Sequence, residues 1–273
     1  MNPDVIRAIA EKDVREVGKS TQMLIPLVLV PLVFVVVLPA VIVLLPRFVS
    51  IPDAEFAFFE RLVTSLPPAI QAEVAPLSLE RQFVYFAVTY LFSPLFLVVP
   101  LMVSNIIAAS SFAGERERGT IEGLLYAPVS ETELFAGKVL AAFVPAIAVA
   151  VTGFVGYTLV VDILTYGQFG RLLLPNTLWL LLILWLVPSV AIFGLGVTVL
   201  VSMKARGVQE AQQIAGVVVL PVVALLLAQV TGVLFLTPGL LFGIGTGVFL
   251  LDIALVWAGA RLFEPEAVLT SGS

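Results

Sequence analysis

Six apolar runs, each long enough to cross a bilayer, decide what this chain can fold into. About 20 helical residues rising 1.5 Å apiece cover roughly 30 Å of hydrocarbon. The runs are residues 23–45, 83–110, 139–161, 176–202, 214–236 and 239–260. They predict an all-α integral membrane protein with six transmembrane helices, in one domain spanning 1–273. Composition agrees: 60% of residues are hydrophobic and 12% charged. Soluble domains carry about 45–50% and about 25%. Pro26, Pro31 and Pro39 lie in the first run and Pro94 and Pro100 in the second. Each removes an amide donor and can kink its helix, which membrane helices tolerate when neighbours satisfy the freed carbonyls.

Residue types that are missing narrow the chemistry. The chain has no Cys and no His, so disulfides, thiolate metal sites and the commonest general base are excluded. A net charge of -5 does not fit a nucleic-acid partner, which needs a basic surface. The first 21 residues are too charged for a signal peptide.

Residues 1–22 are expected to form an amphipathic helix lying on the membrane surface. Ile6, Ile9, Ala10, Val14 and Val17 make one stripe; Arg7, Glu11, Lys12, Arg15, Glu16 and Lys19 make the other. A helix packed on a soluble partner is the alternative. Residues 46–82 form an outer loop with its own amphipathic piece, capped by Asp53 and stopped by Pro67-Pro68. Trp179 and Trp185 read as interface anchors. Asp162 reads as a solvated helix end, and Thr237-Pro238 as a tight hairpin turn between the last two spans.

Six spans place both termini on one side. That side holds Arg7, Lys12, Arg15, Lys19, Arg116, Arg118, Lys138, Lys204, Arg206 and Arg261, against Arg47, Arg61, Arg81 and Arg171 on the other. The excess marks the first side as cytoplasmic. The polar segment 111–138, between spans two and three, is then cytoplasmic too. Its grammar is a helix running out through Glu115–Arg118, a left-handed stop at Gly119, and a short helix from Thr120 ended by Pro128. Ser130 and Glu133 have capping-box spacing and start the next helix. On physical grounds alone this reads equally as a partner-docking element or as a charged loop that only fixes topology.

The segment E-R-E-R-G-T-I-E-G-L-L-Y-A-P-V-S-E-T-E-L-F-A-G-K resembles the signature of ABC-2 type transporter permeases. In that family E-x-E-x-G-T is followed by L-L-x-x-P-[VIL]-S and then G-K. Here those positions are Glu115, Glu117, Gly119, Thr120, Leu124, Leu125, Pro128, Val129, Ser130, Gly137 and Lys138. The resemblance implies the membrane-spanning permease subunit of an ATP-binding-cassette exporter. It implies a cytoplasmic coupling helix in 111–138, with Glu115, Arg116, Glu117, Arg118, Gly119, Thr120, Glu122, Leu124 and Leu125 docking the ATPase. Two copies of a separate cytoplasmic ABC ATPase subunit and a second permease, identical or related, are the implied partners, besides membrane lipid. ATP and Mg2+ would bind on the ATPase; no cofactor or metal is expected on this chain, and no catalytic residue. The phosphate-binding G-x-x-x-x-G-K-[ST] is absent: before Gly137-Lys138 the first Gly is replaced by Thr132, and Val139 follows. The expected location is the cell membrane, multi-pass, with both termini cytoplasmic.

Asp252 is the only carboxylate well inside an expected span. A charge there costs about 2.5–3.5 kcal/mol on insertion scales and faces protein or a water cavity. It reads either as a translocation-path residue, with Asn105 as a second candidate, or as a group paired at a helix interface. The alternative function is an ion-gradient-driven secondary transporter using Asp252. Spans this apolar do not suggest a strongly charged cargo. Gly194, Gly196, Gly243, Gly245 and Gly247 read as close-packing positions.

Overall fold

The computed structural model describes residues 1–48, 53–64, 66–117, 119 and 129–262. Helix α1 (Pro3–Lys19) leads into α2 (Thr21–Pro46). Two short helices, α3 (Asp53–Thr64) and α4 (Pro68–Val74), occupy the connection to α5 (Leu79–Glu115). Then follow α6 (Glu131–Phe169), α7 (Thr177–Ser202), α8 (Val208–Val230) and α9 (Pro238–Leu262). Among the described residues there is no strand, and α2 and α5 to α9 supply six helices long and apolar enough to cross a membrane.

Helix α5 runs through the middle and is buried along most of its length, whereas α6 keeps one face outward. Leu140, Val144, Val151, Val155, Leu159 and Ile163 form that face, spaced four or seven residues apart. An apolar stripe of this kind on a spanning helix is lipid-facing.

Proline does more than kink these helices. Three spans widen into a π-helical turn just before a proline: Val33–Val37 before Pro39, Ala87–Leu91 before Pro94, and Leu182–Leu186 before Pro188. A fourth, α8, tightens to a 3-10 turn at Gly216–Val219 before Pro221. A proline leaves the carbonyl four residues earlier without its helical donor, and local π or 3-10 adjustment lets other groups take up the slack.

The turn in α5 shows how. Pro94 cannot serve Tyr90, and the Tyr90 carbonyl instead accepts from Ser93 Oγ (2.7 Å) and from Gln229 Nε2 of α8 (3.1 Å). Next to it, Thr89 O accepts from Trp179 Nε1 of α7 (3.0 Å) and Val88 O from the Tyr157 hydroxyl of α6 (2.7 Å). Three successive carbonyls of α5 are thus held by three different spans. Trp179 is therefore a core residue and not an interface anchor. Its ring stacks on Tyr157 with centroids 4.6 Å apart and meets Phe96 edge-on at 5.4 Å, an arrangement that rewards both π-contact and burial.

Three other expectations change for local reasons. Asp162 is buried, and its Oδ1 accepts from the amides of Leu173 (2.9 Å) and Leu174 (3.1 Å). It pins the chain leaving α6 and is no solvated end. Pro67-Pro68 does not merely stop a helix: Pro68 opens α4, where its missing amide is no loss. The last two spans are joined by residues 231–237, longer than the expected turn. Gly232 takes φ 75°, and Phe235 and Leu236 turn inward.

Of the five glycines, Gly194, Gly196 and Gly245 meet neighbours closely, while Gly243 and Gly247 face open space. A Cβ on Gly245 would lie 2.5 Å from Trp185 Cδ1. Trp185 is stacked on Phe242 at 5.4 Å and contacts Phe249 at 6.0 Å, so its ring cannot swing away. Gly245→Ala is expected to cost about 1–3 kcal/mol by overpacking, read as a lower melting temperature in detergent; Gly243→Ala should leave it unchanged.

Candidate functional site at one end of the bundle

The elements flanking the central polar segment converge at one end of the molecule. The last part of α5 continues helically to Glu117, and Gly119 has φ 66°, the left-handed conformation that ends a helix. On the return, Ser130 and Glu133 form the capping box: Glu133 N donates to Ser130 Oγ (3.3 Å) and Ser130 N to Glu133 Oε2 (3.1 Å). Glu133 Oε1 also accepts from the Asn2 amide (2.6 Å), tying the start of α1 to the start of α6.

One turn later Gly137 lets α1 lie directly on α6. A Cβ there would be 2.7 Å from Ile9 Cβ and 3.0 Å from the Ile6 carbonyl. The adjacent Lys138 is then enclosed, at 2% exposure. Its Nζ lies 2.7 Å from Glu115 Oε2 and 3.7 Å from Asp13 Oδ2. It also donates to Ser111 O (2.6 Å) and Ser111 Oγ (3.3 Å), and stands 5.3 Å from the Phe112 ring centroid. Ser111 Oγ donates in turn to Asp13. Lys12 closes the cluster from the rim, 3.1 Å from Glu115 Oε1 and 3.5 Å from Asp13. Two ammonium groups and two carboxylates sum to zero, so the buried charges are paired and hydrogen-bonded, as burial requires.

Burial by itself acts to lower the Lys12 pKa, but the hydrogen bond to Glu115 and the charges of Asp13 and Glu115 outweigh it and hold the ammonium above its ordinary range. Its help in seating α1 is complete below the ordinary lysine value and is lost only as pH rises through the raised one. Outside the cluster, Arg7 hydrogen-bonds Glu11 and holds that carboxyl below its usual range.

Glu117 engages a different partner. Its Oε2 accepts from the Val208 amide (3.0 Å) at the start of α8. A Cβ on Gly207 would lie 2.8 Å from the same oxygen. Both motif glutamates therefore bind within the chain: Glu115 toward α1 and α6, Glu117 toward α8. Of the other expected docking residues, Arg116 is in the helix but its side chain lies outside the described residues, as do Arg118, Thr120, Glu122, Leu124 and Leu125.

The two expected path residues lie on helices that pack against α7. Asn105 is buried, and its Oδ1 accepts from Thr198 Oγ1 (2.8 Å), clamping α5 to α7. Asp252 on α9 is 2% exposed, and neither carboxylate oxygen has a hydrogen-bond partner among the described residues.

In the sequence neither Asp13 nor Ser111 stands out as a site residue, and Lys138 enters only as a position of the motif. Asp13 left a signal: it falls in helical register with Ile9 and Val17, on the apolar side of α1. An acid there demands a buried cation.

Set beside known proteins, the chain matches the family model described as ABC-2 family transporter protein over residues 7–243. It belongs to that family, and it is an ABC transporter permease, a multi-pass membrane protein of a kind that carries no nucleotide-binding domain of its own and partners with an ABC ATPase subunit. No curated protein and no solved structure matches it.

Proposed function

We propose that the chain is the membrane-spanning half of an ATP-driven exporter of the cell membrane, paired with a second permease and served by two separate ATPase subunits that hold ATP and Mg2+. Both termini and the 111–138 segment face the cytoplasm, where α1 lies along the membrane surface and the coupling helix docks on the ATPase. The observation that carries this reading is the buried cluster of Lys12, Asp13, Glu115 and Lys138. It binds both ends of the polar segment to each other and to α1, so force applied between Glu117 and Val129 reaches α1, α5 and α6 together. Glu117 adds α8 through Val208. Docking by Arg116, Arg118, Gly119, Thr120, Glu122, Leu124 and Leu125 belongs to the same proposal.

Glu115→Ala combined with Glu117→Ala is expected to leave insertion intact while transport per ATP hydrolysed falls at least about tenfold, equivalent to about 1.4 kcal/mol of lost coupling. Reconstituted complexes assayed for both hydrolysis and transport measure this. Normal transport per ATP hydrolysed in the double variant would refute the coupling role given to these two glutamates.

A second reading, an ion-gradient-driven transporter using Asp252, is favoured by that residue's buried carboxylate, which has no hydrogen-bond partner among the described residues. Transport surviving ATP depletion but stopped by an ionophore would select it.

A further inference from the structure

Helix α1 has two working faces. One carries Asp13 and Val17 inward. The other faces α6 across an open groove of about 840 Å³. The floor is apolar, formed by Ala10 and Val14 of α1 with Leu140, Val144 and Ala148 of α6. Arg7, Glu11 and Arg15 stand on its lip. We propose that this groove binds an anionic glycerophospholipid of the cytoplasmic leaflet, one acyl chain lying on the floor and the phosphate on Arg7 and Arg15.

Two observations select a lipid over a protein occupant. First, the floor does not end at the groove. Leu140 and Val144 begin the exposed stripe that continues through Val151, Val155, Leu159 and Ile163 along the whole of α6. A chain seated on Leu140 and Val144 therefore runs straight on into the hydrocarbon that covers the rest of the stripe. Second, the lip is charged where a headgroup would be. Glu11 Oε1 accepts from Arg7 Nε at 2.8 Å, and Glu11 Oε2 lies 3.4 Å from Arg15 Nη2. The two arginine side chains are 78% and 77% exposed, so each keeps most of its five donors for another acceptor. Two guanidinium groups and one carboxylate leave one net positive charge. That matches the single negative charge of a phosphatidylglycerol, and guanidinium recognises phosphate through paired donors. Basic sites between helices on the cytoplasmic side are where anionic headgroups bind. The arginine stems cover apolar surface while their heads reach the headgroup layer.

Native mass spectrometry of the full chain in mild detergent tests this, with dioleoyl phosphatidylglycerol and dioleoyl phosphatidylcholine added in equal amounts. The wild type is expected to retain one phosphatidylglycerol per chain at least about fivefold over phosphatidylcholine. Arg7→Gln with Arg15→Gln should abolish the preference; both residues are exposed, so folding is not at stake. Val144→Trp, which fills the floor, should remove retention of both lipids, whereas Leu159→Trp, farther along the stripe, should not. An unchanged preference in the double arginine variant, or full retention in Val144→Trp, overturns the proposal. So does disulfide formation between copies carrying Val14→Cys, clean to read in a chain without cysteine, since it would put a second copy in the groove.

Discussion

Lys138→Met is expected to be the most damaging single substitution in the chain. It takes the buried ammonium away from Asp13 and Glu115, both of which keep the half-exposed Lys12. Breaking a buried ion pair from one side costs about 3–5 kcal/mol, because the abandoned charge remains in low dielectric. The loss should appear as a markedly lower melting temperature in detergent at a fixed scan rate, with α1 newly open to protease. Adding Glu115→Gln should recover about half of it, since the second substitution removes one abandoned carboxylate while Asp13 keeps Ser111 and Lys12. Equal melting of the single variant and the wild type would mean that the cluster contributes nothing to seating α1. A double variant worse than the single one would mean that lost packing, and not charge, explains the damage.

At Asp252 the expected effects on stability and transport run in opposite directions. Asp252→Leu removes a buried polar group with no hydrogen-bond partner among the described residues, whose desolvation costs about 1–3 kcal/mol. The variant should melt higher than the wild type. Asp252→Asn keeps the shape and loses the charge. Both are expected to reduce transport at least about tenfold while assembly with the ATPase stays normal, because a carboxylate retained at such expense inside a membrane is a functional group by default. Unchanged transport in both variants would make the residue structural, and a melting temperature that falls in Asp252→Leu would show that the carboxylate has a partner in the assembled complex.

What the sequence reveals about this molecule follows from how local each cause is. Six spans are legible because hydropathy accumulates over 20 residues and no tertiary contact can overrule it. The stop at Gly119 and the Ser130–Glu133 capping box are equally local, and both are present in the structure. Trp179 and Asp162 differ from expectation because each lies near a helix end, where solvent or headgroups are the default surroundings. Only the fold reveals that Thr89 O waits for the indole and that the Leu173 and Leu174 amides wait for the carboxylate. The ion cluster is an intermediate case. The motif marks Glu115 and Lys138 but gives them no mutual role, since 22 residues of chain lie between them and their pairing depends on two helices returning side by side. Asp13 completes the cluster from a helix more than 90 residues earlier in the sequence, where its only local trace is an acid on the wrong side of an amphipathic pattern.

The turn at Val88–Tyr90 bears on how the subunit can move. Its three carbonyls are gripped by Tyr157, Trp179 and Gln229 from three separate helices. Interhelical bonds of this kind average about 0.6 kcal/mol each in a bilayer, so no single grip is hard to release. All three converge on one helical turn, however, and a shift of that turn strains every one of them in the same instant. The bundle accordingly has two economical choices, to travel as one block or to let go everywhere at once. Gradual sliding of individual helices is the costly option, and switching between discrete arrangements is what such a knot favours.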